Sequence, residues 1–511
     1  MIKVDRRRSG WLPFAAIIVL SALLVLPAAL SGMRTNDSFW IDWVWVDQFA
    51  DQLSHGVLYP RWLPQSHAGL GSPVFYYYAP IAFYVAAPFK MAGLSVYGSV
   101  VAMFFMGYAL SGAAMFWWLK DRAPTPLLGA LIFVAAPYHA FNFYNRGAMA
   151  EFLATAFIPL VMLGIAWVSE RRRLGIAVTA LSYAALICTH LPLALLASVF
   201  LFAPYAVVLI WRDRPVIVPI ALGLVLGVML SAIYLAPALA LAPFRDTENL
   251  WRRAVLQPQN WTFWHPGEVD PNVFRETMII VAGLAVPMLG LIIRRRSGWA
   301  AAGMVCALIA IGTVPMIWEL PVLKSVQFPF RLLPVAEFGL ATALAMVPWK
   351  ETQFVPALIP VVLSGFIVTA PAAPPGISLE ELARTHPDVP ENLPPGNRPY
   401  SWPSRWALNL SAQHHGSSVT NGITTEPVFY FPAWEVRCEG TLVATFPAPT
   451  TELLSYRGTG CARTLGLTAP ERWGMAISLA TLLLLIAGSL AVPRLRRPSL
   501  RPIGRAQEVT E

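Results

Sequence analysis

Charge is scarce in this chain of 511 residues: 37 basic and 28 acidic side chains make up 13% of it, against 56% hydrophobic residues. An ordinary soluble protein carries roughly 25% charged residues, and no soluble fold of this length could cover itself with so few. Cysteine is rare as well, with four residues. No Cys/His spacing resembles a zinc site, and no glycine-rich phosphate loop occurs. Internal symmetry is absent: the long polar loops follow the first, seventh and eleventh apolar runs, so the chain does not divide into the two related halves common in transporters. Strongly polar residues in the middle of the apolar runs are few, whereas an ion-coupled carrier usually holds several. The net charge of +9 sits in short basic clusters between apolar runs, which argues against nucleic acid as a partner.

What the chain has instead is long apolar runs, about 18–22 residues each, enough to cross roughly 30 Å of hydrocarbon at 1.5 Å per residue. They predict an all-α polytopic membrane protein with twelve spans, at 11–30, 97–119, 126–141, 152–168, 174–190, 191–210, 216–240, 276–293, 299–317, 332–348, 353–370 and 473–492. The segment 74–93 is also apolar but holds three consecutive tyrosines, Pro73, Pro80, Pro88 and Lys90. Reading it as re-entrant or interfacial puts the basic clusters at 6–8, 120–122, 171–173, 212–214, 294–296, Lys350 and 494–505 on one side. That is the positive-inside arrangement, and it predicts both termini in the cytoplasm. The first run is long for a cleaved signal and reads as an uncleaved helix.

The chain therefore divides into a multi-span region 1–370 with a first outer loop 31–96, an outer domain 371–472, and a last span with a basic tail, 473–511. Within 371–472 a Pro/Gly-rich stretch gives way to period-two alternation of Val, Phe, Tyr and Thr, the pattern of short strands. Cys438 and Cys461 both lie in this domain, in an oxidising compartment on this topology, so a disulfide between them is expected. Cys188 and Cys306 fall within spans, as packing residues.

The first outer loop concentrates the acids. Taken as a helix, 37–55 places Phe39, Trp43, Val46, Phe49, Ala50 and Leu53 on one face and Asp37, Asp47, Asp51 and His55 on the other, as expected of a helix lying along the membrane surface. Asp42 falls inside the apolar face, where a carboxylate needs a partner or a use. Asp37 follows the first span directly, either as a helix cap or as a carboxylate facing a cavity.

Asp37, Gly56-x-x-Tyr59-Pro60-Arg61-Trp62, Gly69-x-Gly71-x-Pro73, Ala136-Pro137-Tyr138-His139, Tyr144-x-Arg146-Gly147-x-x-x-Glu151, Thr189-His190-Leu191-Pro192, Gln327-Phe328-Pro329-x-Arg331 and Phe431-Pro432-x-Trp434 occur in that order. In order and topology the chain resembles the bacterial membrane proteins known as "6-pyruvoyl-tetrahydropterin synthase-related", which look like part of the GT-C superfamily of membrane glycosyltransferases. The resemblance implies the bacterial inner membrane. It also implies a polyprenyl-phosphate sugar donor among the membrane lipids and a glycan, lipid or protein acceptor in the envelope. It makes Asp37 the catalytic carboxylate, a base or a metal-linked acid; relatives more often show His-Asp where this chain has Asn36-Asp37, so a divalent metal is left open. Asp42 stands where relatives would show a histidine. Asp42 and Glu151 are the further candidate acids, Glu151 alternatively pairing with Arg146. Arg61, Arg146 and Arg331 are candidates to grip a phosphate, since the guanidinium fork suits it; Tyr59, His139 and His190, at outer loop and span ends, are candidate substrate contacts. The alternatives are a transporter or flippase for lipid-linked sugars and a non-catalytic envelope assembly protein.

Overall fold

The computed structural model describes residues 10–32, 38–247, 253–264, 269–348, 355–370, 379–396, 401 and 403–491. Asp37, the basic clusters at 6–8 and 494–505, and Lys350 lie outside them. Among the described residues, seven helices are long and apolar enough to cross a membrane: Leu12–Ser31, Val96–Leu119, Pro126–Arg146, Met149–Ser169, Leu191–Arg212, Pro271–Arg295 and Ala469–Leu490. An eighth results if Arg214–Leu230 and Ala232–Ala240, bent by 63°, form one broken span. The bend is braced from the last helix: the Ser478 hydroxyl accepts from the Ile233 N–H at 2.9 Å and donates to the Leu230 carbonyl at 2.8 Å.

The expected count of twelve is therefore not matched. Four of the expected spans are Gly175–Ile187, Gly298–Ala310, Leu333–Ala345 and Val355–Thr369, helices of 13, 13, 13 and 15 residues. Such helices extend about 20 Å, short of the roughly 30 Å of hydrocarbon. The reason is visible in Leu333–Ala345: every one of its residues is buried. An apolar run dissolves equally well in lipid and in the middle of a helix bundle. The segment 74–93 is two helices, Val74–Tyr77 and Ile81–Met91, interrupted at Ala79-Pro80, and its 11-residue part reaches about half the hydrocarbon thickness. Close helix contacts in the bundle rest on small residues: a Cβ on Gly164 would lie 2.5 Å from the Thr179 backbone nitrogen.

Polar loops gather at the two ends of the bundle. At one end Glu170 pairs with Arg122 and Arg172, Arg171 with Asp213 at 2.7 Å, and Arg173 reaches the Ser489 and Leu490 carbonyls at the end of the last helix. At the other end lie the first outer loop and the β strands.

Those strands are β1 (Ser418–Thr420), β2 (Ile423–Phe429), β3 (Trp434–Cys438), β4 (Thr441–Val443), β5 (Thr445–Pro447), β6 (Leu453–Arg457) and β7 (Ala462–Leu465). They form a four-stranded antiparallel sheet β1-β2-β6-β5 and a three-stranded one β4-β3-β7. The β1–β2 turn is Asn421-Gly422, both at positive φ (53° and 73°), the pair a tight hairpin requires. Val428, Val436, Leu454 and Tyr456 fill the space between the sheets. Cys438 and Cys461 are joined by a disulfide, with Cα atoms 4.2 Å apart, one step beyond the Arg437–Ala462 pair of β3 and β7. Closing a loop of this length contributes about 3 kcal/mol in the chain-entropy view.

The β strands and the segment 379–396 are packed against the loop that follows the first helix. Phe429, Phe431 and Leu453 share a core with Trp62, Tyr76 and Tyr77 of the first outer loop. The Phe429 N–H donates to the Leu70 carbonyl at 2.8 Å. The N–H groups of His67 and Ala68 donate to the carbonyls of His386 and Thr385.

Candidate functional site

The helix Phe39–Ser54 is where the local pattern misleads most. Instead of one apolar and one solvated face it is buried nearly all round, with Trp40, Val44, Trp45 and Gln48 enclosed as well. The Trp45 indole donates to Asp388 Oδ1 at 3.1 Å, and the Gln48 amide binds Ser66 and the Gln65 N–H. Asp47 pairs with Lys90 at 2.7 Å, and Asp51 remains exposed beside His55. The loop around Ser66, the segment around Asp388 and the helix Ile81–Met91 cover what would otherwise be a wet face. Asp42 has a partner: its Oδ2 accepts from the Met149 N–H at 3.1 Å, at the start of the helix Met149–Ala154. A carboxylate there satisfies an N–H the helix cannot satisfy itself.

The stretch 135–151 builds the candidate site. Pro137 breaks the helix begun at Pro126 and starts a new turn, Pro137–Phe141. Asn142–Arg146 then widens into a π-helical turn, a feature frequent at functional sites. Gly147 ends it in the left-handed region at φ 63°, and a Cβ there would meet the Phe39 Cβ at 2.7 Å. The Ser38 N–H donates to the Arg146 carbonyl at 3.0 Å, so the described first outer loop begins against this turn.

Arg146 points back to Glu151. Its Nη1 donates to Glu151 Oε2 at 2.8 Å and to Asn142 Oδ1 at 3.0 Å. Arg331, 180 positions away in sequence, donates from Nε to the same Glu151 oxygen at 3.2 Å. The Tyr138 hydroxyl donates to the other oxygen, Oε1. Phe330 and Phe328 lie under the guanidinium groups, Phe330 5.1 Å from Arg146 and Phe328 4.7 Å from Arg331. Glu151 and Arg146 are fully enclosed, while the Arg331 side chain keeps 11% exposure. Arg331 Nη1 is held by the Val326 carbonyl and Gln327, leaving Nη2 with no protein partner among the described residues. Two guanidinium groups thus converge on one carboxylate, and Arg331 Nη2 stays open beside them. His190 is buried at the start of the helix Leu191–Ala197, where its Nδ1 accepts from the Leu193 N–H at 3.2 Å.

The remaining candidates lie elsewhere. Both ring nitrogens of His139 are engaged, Nδ1 with Glu337 at 2.8 Å and Nε2 with Thr155 at 3.0 Å. Arg61 and Tyr59 share no partner with the Glu151 group; Arg61 pairs with Glu471 at the start of the last helix. Sequence reasoning passed over Glu337, Tyr138, Asn142 and Gln327 as members. For Glu337 the signal was available: a lone acid in an apolar run needs a partner. Among the described residues no group of three His, Cys, Asp or Glu could hold a metal ion, so the donor set for a divalent cation is not found among them.

These features define a multi-pass membrane protein with a small β domain and a buried arginine–carboxylate group at the loop-bearing end of its helix bundle. No family model matches the sequence, and no curated protein does. Solved structures similar to this chain include a cryo-EM structure of arabinofuranosyltransferase AftD from Mycobacteria, at 16% identity and TM-score 0.43, covering 70% of this chain and 26% of that one. A mutant of AftD matches at 16% identity and TM-score 0.46, over 72% of this chain and 28% of the other. The alignment thus takes in less than a third of those proteins' length.

Proposed function

We propose that this protein is a membrane glycosyltransferase of GT-C type, moving a sugar from a polyprenyl-phosphate donor to an envelope acceptor on the outer side of the bacterial inner membrane, with both termini cytoplasmic. The observation that carries the reading is the Arg146–Glu151–Arg331 group, two guanidinium groups on one carboxylate with Arg331 Nη2 open, against whose turn Ser38 begins the described part of the first loop. A leashed lipid phosphate reaches the membrane edge and no further, and a guanidinium there offsets the charge of the departing phosphate. In this reading Glu151 holds the two arginines, and Asp37 is the base. As the acceptor hydroxyl attacks the sugar's anomeric carbon, Asp37 takes its proton, the sugar–phosphate bond breaks, and polyprenyl phosphate leaves toward Arg331.

The test uses the purified protein in lipid nanodiscs with radiolabelled polyprenyl-phosphate sugars and envelope glycan acceptors. D37N should lower transfer by about 10²–10⁴ with donor binding retained, the cost of losing a general base. R331K keeps the charge but loses the fork, and should weaken donor binding. Undiminished transfer by D37N would remove the base assignment. Donor crossing from one leaflet to the other in liposomes, with no sugar transferred to any acceptor, would replace the transferase with a flippase.

A further inference from the structure

A second site stands apart from the Glu151 group. A cavity of about 440 Å³ lies between the first outer loop, the bent span and the start of the last helix, lined among others by Leu58, Tyr59, Arg61, Leu467, Glu471 and Met475. Its size is that of a small-molecule site, roughly 300–1,000 Å³. It shares no lining residue with the Arg146–Glu151–Arg331 group.

Arg61 is buried in its wall with most of its fork spoken for. Nε pairs with Glu471 Oε1 at 2.9 Å and Nη2 donates to the Ile233 carbonyl at 2.8 Å. The guanidinium lies over the Tyr59 ring at 3.7 Å. Among the described residues Nη1 has no partner, and neither does the Tyr59 hydroxyl. Burial pushes the Tyr59 phenol far above its usual range, so it remains a donor. A buried donor without an acceptor is destabilising, and here two such donors belong to residues two positions apart in one cavity wall.

The surroundings indicate what would supply the acceptors. The rim carries exposed apolar side chains, Leu58, Leu467 and Met475. Arg472, exposed, donates to the Leu467 carbonyl at the rim. Glu471 offsets the charge of Arg61 in the wall, and at the rim the exposed Arg472 faces the same opening as Glu435, whose carboxylate lies against Gly466. The last helix is among the least covered in the bundle, and Trp473 stands 69% exposed on its first turns, as tryptophans do at the level of lipid headgroups. We propose that this crevice holds one phosphate-headed membrane lipid, with Arg61 Nη1 and the Tyr59 hydroxyl donating to its phosphate oxygens and its chains lying along Leu58, Leu467 and Met475.

The experiment is native mass spectrometry of the delipidated full-length protein in detergent, titrated with dioleoyl phosphatidic acid, with dioleoylglycerol and with inorganic phosphate. Phosphatidic acid should bind at one equivalent, dioleoylglycerol at least tenfold more weakly, and inorganic phosphate not at all. Y59F removes only the orphan hydroxyl, so it should fold as the wild type does and lower phosphatidic acid affinity about five- to tenfold. L467W, at the exposed mouth, should lower it further by filling the entrance. Equal binding of the two dioleoyl lipids would make the crevice a chain groove with no phosphate contact. Binding of inorganic phosphate alone would make it a free-anion site. Unchanged affinity in both variants would place the lipid elsewhere. Any of these results overturns the proposal.

Discussion

Replacing Glu151 with glutamine isolates what this carboxylate does. The side chain keeps its shape and one acceptor oxygen, but the negative charge set against Arg146 and Arg331 disappears, and an amide donor now faces either a guanidinium or the Tyr138 hydroxyl. Removing one partner of a buried ion pair costs about 3–5 kcal/mol, because the remaining charge is left uncompensated. Arg331 retains some exposure and Arg146 keeps Asn142, so the lower end, about 3 kcal/mol, applies. R331Q should cost less, about 1 kcal/mol, since the Arg146–Glu151 contact at 2.8 Å survives it. The assay is unfolding in detergent micelles followed by tryptophan fluorescence, with E151Q, R331Q and the double variant forming a cycle. The coupling should be about 1–3 kcal/mol, the range for residues in direct contact. Were E151Q within 1 kcal/mol of the wild type, or the two substitutions additive, the view of Glu151 as the clamp of both arginines would fail.

Three other substitutions extend the test, two in the frame around the site and one as a control. Burial pushes the Asp388 carboxyl up to about 7, against hydrogen bonds from Val389, Asn392 and Trp45 that pull it down. A folded-state value above the unfolded 3.8 means the folded protein binds the extra proton. The docking of 385–393 on the helix Phe39–Ser54 should therefore be firmest below about pH 4, weaken as pH rises to about 7 by at most about 1.4 kcal/mol per pH unit, and level off above. Hydrogen exchange at pH 5 and pH 8, corrected for intrinsic rates, should show that loss of protection in the wild type and not in D388N; equal protection at both would refute it. G147A forces a Cβ to 2.7 Å from that of Phe39 at φ 63° and should cost well over 1 kcal/mol in thermal stability. G93A, with positive φ but open space around it, should cost only about 1 kcal/mol, and parity between the two would show that the Phe39 contact yields freely.

Sequence alone settled what depends on one segment at a time. Uninterrupted apolar length gave the membrane class and located the seven long helices, because crossing hydrocarbon is a demand each helix meets by itself. Period-two alternation located the strands, and the sequence offered an Arg146–Glu151 pair as one of two readings of Glu151. Tertiary structure decided which apolar runs are lined by protein, as Leu333–Ala345 is, since hydropathy does not separate lipid from a protein interior. It also decided which charge meets which. Glu151 takes Arg331 from 180 positions away, His139 takes Glu337, and Arg61 turns to Glu471 on the last helix. A buried charge must find a partner at any sequence distance, and only the packing of the helices determines which one is there.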